Sequence, residues 1–375
     1  MLVTTRIDFT SPPGAAMSHP TPTTLTRRGL LKRVGSIGAA SVALPSMWTP
    51  AFAQEKRIVV RDPGGPYADG FGEAFYKPFK AATGIEVVPI VAQADPTAQI
   101  KAMVDSKNYA WDMALLNRQS ADVLTDPKTG IYLEDVNVNA PEIPEKFRSQ
   151  YLIATLVLQT VLAVRTDKFK DRKMPNSWAD FFNVKDFPGR RAMRRNPADT
   201  LEEALLAAGT KGGALYPLNL DKAFASLSSI KKDVQVWWTG GAQTSQLLKS
   251  GEVDMCPTWN ARAQSVIDEG APVKIIWNEG LWSYEGFSIL KGTPKAAMCR
   301  EFIKFTCDAK RQAIYTKHLA YGPSNPEAYK HIEPARAQVL PAFPANLANS
   351  VQLDGRYWAS NKDAVTERFN TWLLS

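Results

Sequence analysis

Arg57-Ile58-Val59-Val60-Arg61, Ile85-Glu86-Val87-Val88-Pro89-Ile90 and Trp111-Asp112-Met113-Ala114-Leu115-Leu116 are short apolar runs, and their spacing decides the fold. Asp62-Pro63-Gly64-Gly65-Pro66 closes the first run as a tight turn. A helical pattern then runs from about Phe71 to Ala82 and stops at Thr83-Gly84. A second runs from about Pro96 to Ser106, with Asp95 as its N-cap. Strand, helix, strand, helix, strand at these intervals predicts an α/β fold with a mostly parallel sheet.

Beyond this core, Leu152 to Val164 is a long apolar stretch interrupted by Thr155, Gln159 and Thr160, and its β-branched content predicts strands. Ser177 to Phe182 reads as a short helical turn. After Phe187-Pro188-Gly189 the alternation starts again. Strands are expected at Arg191–Arg194, Val234–Trp238, Val253–Pro257 and Val273–Trp277. Helices are expected at Leu201–Ala208, Leu220–Lys231, from Thr239-Gly240-Gly241 to about Ser250, and at about Ala261–Glu269. Pro257 should end its strand. The last part turns helical, at Lys295–Phe305, Asp308–Lys317 and about Asp363–Leu373. No short-period repeat of solenoid type occurs.

The 375 residues suffice for two ordinary domains, and 45% hydrophobic with 22% charged residues describes a chain that buries a core. Its net charge of +8 falls to +4 without residues 1–53, which hold five basic residues and one acidic. A nucleic-acid-binding reading built on the whole-chain charge is therefore discounted. Thr26-Arg27-Arg28-Gly29-Leu30-Leu31-Lys32, the apolar Val34 to Leu44 and Ala51-Phe52-Ala53 are the three parts of a secretory leader. The paired arginines resemble a bacterial twin-arginine signal. Residues 1–53 are thus expected to be cleaved, leaving a soluble periplasmic chain from near Gln54, with no later run long enough to span a membrane.

Cys256, Cys299 and Cys307 read as buried apolar filler; Cys299 and Cys307, eight positions apart on one helix, are about 12 Å apart and beyond disulfide reach. His318 and His331 are the only histidines after the leader, which leaves little material for a zinc site. HExxH, GxxxxGK[ST] and GxSxG are absent, so no zincin, P-loop enzyme or α/β-hydrolase is indicated. No cofactor or metal is expected.

The segments Trp259-Asn260, Gly270-Ala271-Pro272-Val273 and Glu279-Gly280-Leu281-Trp282-Ser283-Tyr284-Glu285-Gly286-Phe287-Ser288-Ile289 resemble the bacterial extracellular solute-binding proteins of ABC importers. The run from Cys299 to Phe305, the run Ala320-Tyr321-Gly322-Pro323-Ser324-Asn325-Pro326-Glu327-Ala328 and the opening Pro-Gly-Gly-Pro-Tyr carry the same likeness. Within that family the similarity is greatest to the spermidine/putrescine-binding branch. The resemblance implies a two-lobed α/β periplasmic-binding-protein fold, type II-like, with a cleft between lobes joined by crossover strands. Lobe 1 would take residues 55–164 plus 285–345, lobe 2 residues 165–284, and residues 346–375 would form a helical segment packed on the lobes. It further implies a monomer that closes on a small solute, docks on an inner-membrane permease and catalyses nothing.

A polyamine ligand calls for aromatic faces along its methylene chain and carboxylates at its amines. Candidates lie at strand ends and loops facing the cleft. Tyr67 matches the family's aromatic first loop and reads equally as a half-exposed loop tyrosine. Arg118 follows the third strand, where an intralobe salt bridge is an equal alternative. Trp259 matches the second-lobe aromatic. Trp282, Tyr284 and Glu285 lie where the family places an aromatic and an acid. Counting back from Ile289 puts Glu285 on the acidic position, and counting forward from Trp282 puts Tyr284 there. Asp199 is the nearest match to a second-lobe acid, or a helix cap. Thr239, ahead of Gly240-Gly241, opens a helix that could present N–H groups to an anion.

The sequence departs from polyamine binders at Arg190, Arg191, Arg194 and Arg195, which crowd a loop that offers acids there. If Arg194 or Arg195 faces the cleft, the ligand is anionic or zwitterionic; a solvent-facing basic surface is the reading given slightly more weight. The leading expectation is a polyamine, and the alternative is an anionic or amino-carboxylate solute. A ferric-iron binder would want paired cleft tyrosines, and no adjacent pair exists. An exported α/β enzyme, the reading from another class, lacks a nucleophile or metal constellation.

Overall fold

The computed structural model describes residues 56–92 and 94–375. The leader and its expected cleavage point lie outside them.

The first half is built as the spacing requires. β1 (Arg57–Asp62) enters a helical segment formed by α1 (Pro66–Phe71), a π-turn over Gly72–Tyr76 and α2 (Lys77–Thr83). It starts five residues earlier than the pattern indicated, because Pro66 presets the first helical position. Gly84 then ends it with φ 74°. β2 (Glu86–Val91), α3 (Thr97–Ser106), β3 (Met113–Asn117) and α4 (Arg118–Val123) follow. Asp95 caps from one position before the N-cap, accepting from the Thr97 N–H at 2.9 Å.

The second half contains β4 (Leu156–Arg165), β5 (Arg191–Arg194), α5 (Pro197–Ala207) and α6 (Leu220–Ile230). β6 (Val234–Trp238), α7 (Gly241–Ser250), β7 (Met255–Trp259), α8 (Asn260–Asp268) and β8 (Val273–Ile289) complete it. α9 (Ala296–Thr306), α10 (Ala309–Tyr315) and the long α11 (Gly355–Leu374) close the chain. β7 runs on through Pro257 to Trp259, against expectation. Its register with β5 is confined to Met255, so the proline meets little ladder on that side. Cys256, Cys299 and Cys307 are free and buried.

The strand path is β2-β1-β3-β8-β4-β7-β5-β6, and two strands, β4 and β8, run through its whole middle. Their antiparallel register carries Val273↔Arg165 to Ile276↔Leu162, then resumes at Leu281↔Thr160 and continues to Glu285↔Leu156. Residues 277–280 therefore bulge where the strands pass from one lobe to the other, and Glu279 sits there at φ 57°. One hydrophobic cluster holds Ile58, Phe75, Leu115, Val157, Phe287 and Phe302. Beyond Val157 and before Trp282 the strands feed separate clusters, around Leu205, Leu227 and Phe369 and around Trp238, Leu248 and Ala263. This is the two-lobed α/β periplasmic-binding-protein fold, with β4 and β8 as the crossovers.

Asn260, the first residue of α8, is fully buried at this crossing. Its Oδ1 accepts from the Gln159 N–H at 3.1 Å, and its Nδ2 donates to the Ala320 carbonyl at 2.6 Å. It thus satisfies two backbone groups that no ladder reaches. Asn260→Ala leaves both unpaired and is expected to cost about 2–3 kcal/mol. Denaturant unfolding checks this, and a loss under about 0.5 kcal/mol would show that the link is dispensable.

Candidate functional site

Side chains alternate across a strand, so Ser283 and Glu285 share one face of β8 while Trp282 and Tyr284 share the other. Leu156, Leu158 and Thr160 are on the Glu285 face, because directly paired residues point the same way. The opposite face is covered by the returning chain: Gln159 Nε2 donates to the carbonyls of Pro341 at 2.8 Å and Asn346 at 3.1 Å. The Glu285 face is the one that meets Tyr67 from lobe 1 and, through Thr160, Asp199 from lobe 2.

At the lobe 1 end Glu285 pairs with Asn117, at the carboxyl end of β3. The Tyr67 hydroxyl donates to its Oε2 at 3.3 Å, and the Tyr67 ring lies 5.8 Å from that of Tyr321. Glu285 is half-buried, and burial raises its carboxyl from the usual 4.5 to about 7 against the opposing pulls of Tyr67 and Arg61. Arg61 is buried, donating to the carbonyls of Leu115 and Ala94, while its Nε has no partner. Asp62 is occupied by the Tyr76 hydroxyl and the Gly64 N–H, both at 2.6 Å. Arg61, Asp62 and Glu285 leave this end one negative charge over.

At the lobe 2 end Arg194 leaves the carboxyl end of β5 and donates through Nη1 to Asp199 Oδ2 at 2.6 Å. Its guanidinium also lies 5.6 Å from the Trp238 ring and 5.2 Å from the Trp259 ring, within cation–π range. Asp199 accepts in addition from Thr160 Oγ1 at 3.2 Å, which ties the pair to the cleft face of β4. Trp238 and Trp259 meet edge to face at 5.9 Å.

α7 starts against this pair. A Cβ at Gly241 would lie 2.7 Å from the Trp259 ring and 3.0 Å from Arg262 Nε, so only glycine lets the helix approach. Arg262, in the first turn of α8, is exposed, and among the described residues its guanidinium makes no hydrogen bond or ion pair. Its charge reaches Tyr321, whose phenolate it favours. Arg194, Asp199 and Arg262 leave this end one positive charge over. Behind Asp199, Glu202 and Glu203 are buried, Glu202 raised to about 7 and Glu203 held well above the carboxylate range by burial.

The structure brings Tyr67 and Glu285 together at one end and Arg194, Asp199 and Trp259 at the other. Thr239 is exposed between β6 and α7. Arg118 is engaged in lobe 1, where Nε donates to both Asp122 oxygens at 2.8–2.9 Å and Nη1 to the Tyr284 hydroxyl at 2.7 Å. Trp282 and Tyr284 pack on Phe147, on the face turned from Glu285. Arg195 is exposed. Arg190 pairs with Asp254, and Arg191 is fully buried, donating to the carbonyls of Phe181, Gly189 and Phe187. Sequence reasoning missed Tyr321, Arg262 and Thr160. Arg262 alone left a signal, three residues past Trp259 in the first turn of the next helix.

Trp259 supplies area and a cation–π face to this end. Trp259→Ala is expected to weaken solute binding at least tenfold by equilibrium titration, and an unchanged dissociation constant would remove it from the site.

A family model described as bacterial extracellular solute-binding protein matches residues 74–345. The γ-aminobutyric acid-binding protein of Pseudomonas aeruginosa is 33% identical over 331 residues, covering 86% of this chain and 92% of that protein. An ABC transporter substrate-binding protein from Bradyrhizobium japonicum is 35% identical, with TM-score 0.77, over 84% of this chain and 99% of that one. The binding protein AgtB of Agrobacterium tumefaciens R10, solved with agropinic acid, is 31% identical with TM-score 0.70, over 85% of this chain and 99% of that one.

These relatives correct the polyamine expectation, since they are named for γ-aminobutyric acid or solved with an opine rather than a polyamine. The physical reason is visible in lobe 2. Asp199, the acid at the two rings, is already paired with Arg194, and Arg262 beside Trp259 makes no ion pair among the described residues, so this end offers no free carboxylate to an ammonium. The periplasmic location, the absence of catalysis, the small-molecule solute and the membrane permease as partner stand. The chain belongs to the bacterial extracellular solute-binding protein family.

Proposed function

We propose that the protein captures a zwitterionic amino-carboxylate of the γ-aminobutyric acid type and delivers it to an ABC permease. One observation carries this reading: lobe 1 presents one uncompensated carboxylate, Glu285, beside Tyr67 and Tyr321, and the guanidinium of Arg262 in lobe 2 lies within electrostatic reach of that same Tyr321. Glu285 and the Thr160–Asp199 contact are four strand residues apart, about 13 Å. A solute with its ammonium and carboxylate at opposite ends bridges such a pair, with Trp259, Tyr67 and Tyr321 along its methylenes. An α-amino acid, with both charges at one carbon, does not.

The similarity to a γ-aminobutyric acid-binding protein supports this choice, and that to the agropinic acid complex supports the wider amino-carboxylate class. The test is calorimetric titration of the ligand-stripped protein with 4-aminobutanoate. One-to-one binding at micromolar affinity or tighter is expected. No heat, together with no thermal shift, would overturn the reading.

A further inference from the structure

Asp199 has a backbone that few residues adopt. Its φ of 73° and ψ of −51° lie near the strained γ-turn conformation, directly after the extended Ala198 at the head of α5. It is 4% exposed, and its Oδ2 is shared by Arg194 Nη1 and Thr160 Oγ1. A side chain held in a costly conformation, buried and fixed from two sides, is positioned by the surrounding structure rather than left free for a solute. Its partner has the opposite character: Arg194 is partly exposed, with its Nη1 edge on Asp199 and its guanidinium near two tryptophan rings.

We propose that Asp199 is a specificity-determining residue that acts through Arg194. It fixes the guanidinium between Trp238 and Trp259 and cancels one of the two cationic charges of lobe 2, so that the site matches a single carboxylate. Without that charge lobe 2 carries two uncompensated arginines, Arg194 and Arg262, and a solute with a second carboxylate becomes acceptable. Glu202 and Glu203 stand behind Asp199 and are its nearest acidic neighbours on α5. Glu203 lies within electrostatic reach of Arg194, but burial raises both carboxyls, which weakens either as a replacement for the charge of Asp199.

This inference rests on the amino-carboxylate reading, and its experiment separates the two. Ligand-stripped native protein, Asp199→Asn and Asp199→Gly are titrated with 4-aminobutanoate and with 2-(2-aminoethyl)malonate, which carries a second carboxylate on the carbon next to the first, at the end remote from the ammonium. Asparagine keeps the acceptor oxygen and tolerates positive φ, and glycine takes that φ without strain, so at least one variant folds. Both are expected to raise the affinity ratio of 2-(2-aminoethyl)malonate to 4-aminobutanoate at least tenfold. Thr160→Val removes a support but no charge and is expected to leave the ratio within about twofold. A ratio unchanged in a folded, binding Asp199 variant overturns the specificity role. A native protein that binds no amino-carboxylate overturns the reading beneath it.

Discussion

Glu285→Gln is expected to weaken capture of 4-aminobutanoate about a hundredfold at pH 8. The substitution keeps the shape and the Tyr67 hydrogen bond but removes the one uncompensated charge at the lobe 1 end. Losing one partner of a largely desolvated charge pair costs about 2–5 kcal/mol, and a hundredfold is about 2.7 kcal/mol. A change below threefold would exclude Glu285 as the amine's partner.

The same residue dictates a pH dependence. In the free protein burial holds the carboxyl near 7, so it is half-protonated around neutrality. An ammonium beside it favours the carboxylate, so capture lowers that pKa and releases a proton. Affinity should therefore rise with pH up to about 7 and level off above, falling by up to tenfold per unit below. Stability runs the other way. A carboxyl raised from 4.5 to about 7 by folding contributes stability below about 4.5 that is lost as pH rises through about 7, and Glu202 acts in the same direction. The solute relieves this at Glu285 alone. Its thermal stabilisation is thus expected to be larger at pH 8 than at pH 5.5, and equal shifts would contradict a titrating Glu285.

Arg262→Asp is expected to lower affinity for 4-aminobutanoate more than a hundredfold and to create measurable putrescine binding. The substitution turns the lobe 2 end from one positive charge over to one negative, which matches a second ammonium. The side chain is exposed and makes no hydrogen bond or ion pair among the described residues, so unfolding is not the expected cause. At about 6 Å and an effective dielectric of 20, one unit charge is worth about 3 kcal/mol, enough for this effect. Unchanged affinity for 4-aminobutanoate would remove Arg262 from the site.

Much of the fold was legible. The strand–helix alternation from Arg57 to Leu116, and again from Arg191 to Trp277, follows from local periodicity and turn residues. What failed locally failed for tertiary reasons. β7 passes through Pro257 because its neighbour leaves it little to pair with there, and β8 extends from Val273 to Ile289 across a bulge that no local signal marks.

The site was legible in part. Tyr67, Asp199, Trp259 and Glu285 follow strand ends or the family likeness, and the crowded arginines raised a zwitterionic ligand as the alternative. Strand alternation puts the two residues that the counts offered for the acidic position, Glu285 and Tyr284, on opposite faces of β8. It sets Glu285 beside Tyr67 and turns Tyr284 toward Arg118. The four arginines were indistinguishable as letters. Arg191 is buried under three carbonyls, Arg190 pairs with Asp254, Arg195 is exposed and Arg194 meets the tryptophans.

The sequence by itself determined the fold class, the likeness to exported solute-binding proteins and the residue types at the strand ends. Periodicity, turn chemistry and a leader are local properties, read within a few residues. Only the tertiary structure brought Arg194 onto two tryptophan rings and set Arg262 beside Trp259. Arg194 meets Asp199 locally at the head of α5, and Asp199 is tied in turn to Thr160 on the crossover strand β4. The contacts of Arg194 with Trp238 and Trp259, and the tie of Asp199 to Thr160, are long-range facts of packing, invisible to composition or spacing.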